Sequence, residues 1–290
     1  MRTVFLLITD DNRMSIFATY WGLNRSPFEN TSDAGFFFRS ETHRAALLKM
    51  QYVIESRLGA GLLIGGVGVG KTYLAHLLEQ ELPEAAGPMV HLVFPQLNSA
   101  ELLAYLAVEL GADESAVGRG HDDLNLTLRQ LEQRLRHWTS AGRHPIIIID
   151  DAHLIEDPQV FRTLQLMLNY QQRPEIDFSL FLIGEPNLLG PIERMAQLNE
   201  RLGARGLLKP LSHDETAGYI RHRLKTAGRT ERIFEDDALA VIFELSAGVP
   251  RRINRLCDLA LLVGYADELK TITAAEIEAV GEELLAVVPD

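Results

Sequence analysis

Eight consecutive residues, Gly65-Gly66-Val67-Gly68-Val69-Gly70-Lys71-Thr72, satisfy the spacing G-x-x-x-x-G-K-[ST] in full. The chemistry open to these types is polyphosphate binding. Glycines let successive backbone N–H groups curl around a β-phosphate, and a helix starting at Lys71 would add its N-terminal dipole. Lys71 would reach the β- and γ-phosphates, and the Thr72 hydroxyl would ligate Mg²⁺. The flanks supply the required context: Leu62-Leu63-Ile64 reads as a strand and Tyr73-Leu74-Ala75-His76-Leu77-Leu78 as a helix. The expected nucleotide contacts are therefore Gly65, Gly66, Val67, Gly68, Val69, Gly70, Lys71, Thr72 and Tyr73, with ATP and Mg²⁺ as the ligands.

A second acidic site follows downstream. His144-Pro145-Ile146-Ile147-Ile148-Ile149-Asp150-Asp151-Ala152-His153 reads as a buried strand ending in two carboxylates. In an open parallel sheet, ligands bind beyond the carboxyl ends of the strands. Asp150 is thus expected to hold Mg²⁺, directly or through water, and Asp151 to orient or deprotonate the attacking water. The bland alternative is an Asp-Asp pair capping the next segment. Phe178–Gly184 reads as another buried strand, ending at Glu185, whose carboxylate would either meet the γ-phosphate or its water or stand solvated in a loop. Among the arginines, Arg201 and Arg205 precede the C-terminal helices and Arg251 opens one of them. An arginine in the first group would act as a finger toward a neighbouring subunit, and Arg251 would fold onto the γ-phosphate of its own chain. Surface ion pairing is the competing role for each.

These residues need a scaffold, and the hydrophobic periodicity describes one. Apolar runs at Gly61–Gly65, Met89–Phe94, Ile146–Asp150, Phe178–Gly184 and Arg205–Leu208 read as strands. Helix-period segments at Lys71–Leu82, Ser99–Leu110, Leu124–Thr139 and Asp157–Tyr170 lie between them, the alternation of a parallel sheet covered by helices. After Pro210 the pattern predicts only helices, over Ser212–Gly228, Asp236–Ala247, Arg251–Ala266 and Ala274–Leu285. Capping-box spacing marks two of their starts, Ser212-x-x-Glu215 and Thr273-x-x-Glu276. The expected division is an N-terminal extension over 1–19, with Met14 as a possible true start, an α/β nucleotide-binding domain over 20–211 and an all-α lid over 212–290. Tyr20, Trp21, Pro27 and Phe28 would either sandwich an adenine ring or pack in a core. His43, His76 and His91 lack partners at metal-ligand spacing and read as structural, and Cys257 as buried and inert.

Composition narrows the classes. The chain has 290 residues, 28 Lys+Arg against 40 Asp+Glu, and a formal net charge of −12. That balance argues against coating nucleic acid through its phosphates, which needs clustered cations. One cysteine excludes an internal disulfide framework and fits a reducing, cytoplasmic setting. The longest apolar run at the N-terminus has five residues, shorter than a secretory segment or a membrane span requires.

Taken together the motifs resemble the AAA+ ATPases of the general secretion pathway protein A (ExeA) type. The likeness opens at Tyr20-Trp21-Gly22-Leu23-x-x-x-Pro27-Phe28 and runs through Ser40-Glu41-Thr42-His43-Arg44-Ala45-Ala46-Leu47, the phosphate loop and the Asp-rich strand end. It extends to Leu208-Lys209-Pro210-Leu211-Ser212 and to Gly248-x-Pro250-Arg251-Arg252-Ile253-Asn254. The resemblance implies a P-loop NTPase core with a helical lid, ATP hydrolysis, and a nucleotide-driven switch or assembly factor acting as a homo-oligomer. It further implies a secretion or pilus-related setting with an envelope or pilus protein as partner. By the same likeness Asp150 is the Mg-associated Asp, Glu185 the sensor-1 position, Arg201 the finger and Arg251 the sensor-2 arginine. Two residues depart from the family pattern, which usually has Glu where Asp151 stands and a neutral residue where Glu185 stands. Asp is one methylene shorter, and an acidic Glu185 would repel a γ-phosphate unless protonated or bridged by Mg²⁺, so turnover is expected to be slow. Secretion-type members often continue into a membrane span and a cell-wall-binding domain, whereas this chain stops at Asp290. The alternatives are an ATPase partner in DNA transposition or replication, and a weakly hydrolysing interaction module.

Overall fold

Ala60–Gly65 (β1), Ala86–Leu92 (β2), His144–Ile149 (β3), Ser179–Gly184 (β4) and Leu202–Leu208 (β5) form a single parallel sheet in the order β2-β3-β4-β1-β5. This is a computed structural model, and it describes residues 16–31, 33–83, 85–118 and 124–286. The expected extension over 1–19 and the candidate start at Met14 lie almost wholly outside that set.

β1, β3 and β4 are buried at every position, as parallel strands covered on both faces must be. Their apolar composition follows from that burial. The four isoleucines 146–149 are stiff at χ1 and suit a pleated surface packed on both sides. β5 is an edge strand and alternates between exposed and covered residues. The helices Lys71–Glu81, Ser99–Glu109, Leu124–Ser140 and Pro158–Leu168 fall where the periodicity places them. Asn98 starts one of them with a full capping box, its side chain accepting from the Glu101 amide while Glu101 returns to its own. The helix Glu41–Glu55 precedes β1, capped by Ser40.

The chain divides into two compact units. One comprises Arg39–Lys209, the sheet with its helices. The other joins the segment up to Phe38 to everything from Pro210 onward. Its helices are Ile16–Tyr20, His213–Thr226, Asp236–Ser246, Pro250–Ala266 and Ala274–Ala286. Residues 20–31 and 33–38 therefore pack with the helical segment, whereas sequence order joins them to the α/β domain. The physical reason is burial. Trp21, Leu23, Phe28 and Phe36 enter one hydrophobic core with Tyr219, Ile220, Leu256 and Leu261, and the Trp21 indole donates to the Leu261 carbonyl at 2.9 Å. Trp21 and Phe28 are 2% and 3% exposed, so core packing and not an adenine platform explains these aromatics. Cys257 is fully buried in the same core, and burial pushes its thiol well above the usual range.

One buried group gives the α/β unit a pH dependence. His144, at the start of β3, accepts from Arg57 at 2.8 Å and faces Ser179 Oγ at 2.9 Å. Burial, then the Arg57 charge, lowers its pKa from 6.5 to about 4. Between those values the unfolded chain binds the proton and the folded chain does not. The His144 contribution to stability is therefore complete above about pH 6.5 and is lost as pH drops toward about 4, up to roughly 3 kcal/mol. His144→Gln should flatten that limb of a urea-unfolding pH profile relative to wild type, and equal slopes would refute the assignment.

Candidate functional site

The loop after β1 turns directly into the helix Lys71–Glu81. Gly70 occupies its N-cap at φ 99°, a left-handed conformation in which a side chain is strained. Gly68, at φ 75°, holds a second such position. Between them Val69 is 1% exposed and anchors the loop, while Val67 at the tip stands in solvent. Lys71 is buried, and its ammonium donates to the Gly65 and Gly66 carbonyls, each at 3.0 Å. Tyr73 follows in the first turn, half-buried.

A residue outside the motif fixes the loop from beneath. His43 lies 26 positions before Val69, and its Nε2 sits 2.9 Å from the Val69 carbonyl. A carbonyl can only accept, so Nε2 carries the proton and Nδ1 faces the Ser40 hydroxyl at 2.7 Å. From sequence alone His43 reads as structural, and this contact is the structural role it has. Its spacing from the Ser40 cap was visible, but its contact with the loop was not.

The carboxyl edge of the sheet brings the second acidic site to the same place. Asp150 directly follows β3 and is 1% exposed. The Thr72 hydroxyl donates to its Oδ2 at 2.8 Å, across 78 positions of sequence. The Asp151 amide donates to Oδ1 at 2.9 Å, and His91 Nε2, from the penultimate residue of β2, lies 3.3 Å from Oδ2. Burial alone would raise the Asp150 pKa. The hydrogen bonds from His91, Thr72 and Asp151, with the His91 charge, outweigh it and hold the carboxyl below its ordinary range. Asp150 is thus an anion at neutral pH. His91 also stacks edge-on against His76, ring centroids 5.2 Å apart, so this pair lies next to the acidic site instead of serving only the core.

Asp151 adopts a left-handed conformation at φ 46°, with its side chain 43% exposed. Glu185 directly follows β4 and is half-buried. Both lie at the edge that carries the loop, because β4 pairs with β1 through Ile64 and Gly184 and with β3 through Ile149 and Leu182.

The arginines fare differently. Arg201 donates to the Leu168 carbonyl at 2.9 Å and the Asn169 side chain at 2.8 Å, closing the C-terminal end of the helix Pro158–Leu168. Arg205 is exposed on β5 and reaches the Asn199 side chain. Arg251 is exposed in the first turn of Pro250–Ala266, in the helical unit.

The donor set suits a polyphosphate with a hard divalent cation. Backbone amides at positive-φ glycines, a buried ammonium, a hydroxyl and an ionised carboxylate already in contact match the preferences of phosphate and Mg²⁺. Thr72 and Asp150 would hold that metal.

The model of the family described as AAA domain matches residues 54–190. General secretion pathway protein A of Aeromonas hydrophila is 31% identical over 274 residues, covering 93% of this chain and 48% of that protein. The chain spans about half the length of this relative. Among solved structures, the Aeropyrum pernix ORC2 protein in its ADPNP-ADP complexes aligns with a TM-score of 0.70 at 15% identity, covering 92% of this chain and 73% of that one. The Thermotoga maritima RuvB Holliday junction branch migration motor aligns at 0.59 with 19% identity, covering 89% and 73%. These likenesses show the P-loop NTPase fold. No helix among the described residues is long and apolar enough to cross a membrane. Residues 54–190 thus match the AAA domain model, and over nearly its whole length the chain is similar to general secretion pathway protein A.

Proposed function

We propose that this protein binds and hydrolyses ATP with Mg²⁺, using the change of nucleotide to switch or assemble a protein machine. The observation that carries the reading is the 2.8 Å contact between Thr72 of the phosphate loop and the ionised, buried Asp150. The loop amides and Lys71 would bind the phosphates, which requires Lys71 to give up the Gly65 and Gly66 carbonyls for phosphate oxygens. Mg²⁺, when bound, would neutralise charge on the β- and γ-phosphates. Asp151, with its partly exposed carboxylate, orients the attacking water and accepts its proton.

Similarity to the secretion pathway protein supports work in a bacterial secretion or pilus-related system from the cytoplasmic side. In that reading the chain acts as a homo-oligomer. Arg201 would exchange its bonds to Leu168 and Asn169 for a neighbour's nucleotide, and Arg251 would sense the γ-phosphate within its own chain.

The direct test titrates the folded protein with ATP and MgCl₂ while recording its melting temperature. A site filled at a hundred times its Kd stabilises by about 2.7 kcal/mol, a readily measured rise. Asp151→Asn should keep that rise and lose phosphate release. A melting temperature indifferent to Mg-ATP rejects the assignment.

A further inference from the structure

Two carboxylates at this edge pose an electrostatic problem, and a third side chain lies between them. Glu185 ends β4, the strand hydrogen-bonded beside β1, whose own end carries the phosphate loop. An unopposed carboxylate at that edge raises the cost of gathering polyphosphate charge there, because like charges in a partly desolvated site repel over several ångströms. His153 meets this carboxylate. Its Nε2 is 3.3 Å from Glu185 Oε1, and its Nδ1 is 3.8 Å from Asp151 Oδ1. The imidazole is 10% exposed, whereas Asp151 and Glu185 are 43% and 31% exposed. The less accessible group thus stands between two more accessible anions.

Two details show that this position is built. Nδ1 is buried and makes no hydrogen bond, and 3.8 Å is beyond bonding reach, so it faces Asp151 with its capacity unspent. Buried polar atoms without partners are uncommon and call for a reason. Secondly, Gly184 makes room for the backbone at His153. A Cβ there would stand 2.8 Å from the Leu188 side chain, 3.2 Å from the His153 amide and 3.4 Å from Nδ1. The glycine at the end of β4 lets the loop after β3 lie this close.

We propose that His153 is a positioning residue that engages Glu185 through Nε2 and holds its carboxylate off the γ-phosphate. The proposal rests on the ATP reading above. It also accounts for an acidic residue at position 185 beside an aspartate at 151: the Nε2–H between them ties down the carboxylate that would otherwise turn toward a nucleoside triphosphate. Because the γ-phosphate is what separates ATP from ADP, the signature of this role is selective. Without His153 the site should lose ATP and keep ADP.

The experiment measures Kd for ATP and for ADP, each with MgCl₂, by calorimetry on the full chain. His153→Ala should weaken ATP about tenfold and ADP less than about twofold, the size expected from freeing one partly exposed charge near another. Adding Glu185→Gln to His153→Ala should restore ATP affinity to that of Glu185→Gln alone, since the charge being held is then gone. His153→Gln, which keeps an N–H donor for Glu185, should lie near wild type. His153→Asn, too short to reach Glu185 but polar, reads the same ratio if the alanine variant melts early. Equal loss of ATP and ADP, no loss, or failure of Glu185→Gln to rescue overturns the proposal, because a side chain that merely fills space would act on both nucleotides alike. Wild-type protein that binds neither nucleotide overturns the ATP reading itself, a result separate from any change in the variants' ratio.

Discussion

Lys71→Ala is expected to lower ATP hydrolysis by about a hundred- to a thousandfold, the cost of removing one preorganised charge from a developing transition state. The same substitution should hardly move the melting temperature in the absence of nucleotide. The ammonium bonds only to its own loop, through the Gly65 and Gly66 carbonyls, and Gly66 is half-buried, so water can replace part of what is lost. Lys71→Arg should not rescue, because a planar fork cannot substitute for a compact point charge in a position this buried. Phosphate release and a nucleotide-free melt, measured on the same preparation, separate the two effects. An alanine variant that hydrolyses within tenfold of wild type would dismiss Lys71 from the reaction.

The second large effect falls on stability, at Gly248. The residue stands at φ 70°, following Ala247 at φ 50°, so the chain reverses sharply after the helix Asp236–Ser246. The reversal brings the Gly248 carbonyl to the Leu211 amide at 2.8 Å. It also leaves no room: a Cβ on Gly248 would sit 2.0 Å from the Leu211 carbonyl oxygen, an impossible contact with backbone. Gly248→Ala must therefore break the Leu211 bond, strain a left-handed residue and shift the segment that links Leu211 to the helix Pro250–Ala266. Together these should cost about 3–5 kcal/mol in denaturant unfolding. A loss under about 1 kcal/mol would mean that the close approach does not organise this part of the helical unit.

The departures from the sequence reading have a common cause. The strands and helices were legible because burial on both faces and amphipathic periodicity are local patterns, and the three isoleucine-, leucine- and phenylalanine-rich runs of β1, β3 and β4 carry the first openly. Strand boundaries moved by a few residues where composition was silent. β2 begins at Ala86 and not Met89, and β5 at Leu202 and not Arg205, since the small residues Ala86, Gly87, Gly203 and Ala204 in these edge strands carry no apolar signal. The segment holding Trp21 and Phe28 was assigned to the sheet-bearing domain because it precedes β1 in the chain. Its partners, Tyr219 and Leu261, lie some two hundred residues on, a distance across which periodicity says nothing.

What the sequence determined by itself was the chemistry that sits on contiguous residues: a glycine-rich loop with its lysine and threonine between a strand and a helix, and a strand of isoleucines ending in Asp150. Such motifs are local because backbone amides must follow one another to surround a phosphate. Only the tertiary structure decided that His91 abuts Asp150, that His43 holds Val69, that His153 stands between Asp151 and Glu185, and that Arg201 closes a helix of its own chain. Each of these depends on the strand order β2-β3-β4-β1-β5 or on how a helix lies against the sheet. A histidine carries no periodic signature of what it will face, because its partner is selected by packing and not by spacing.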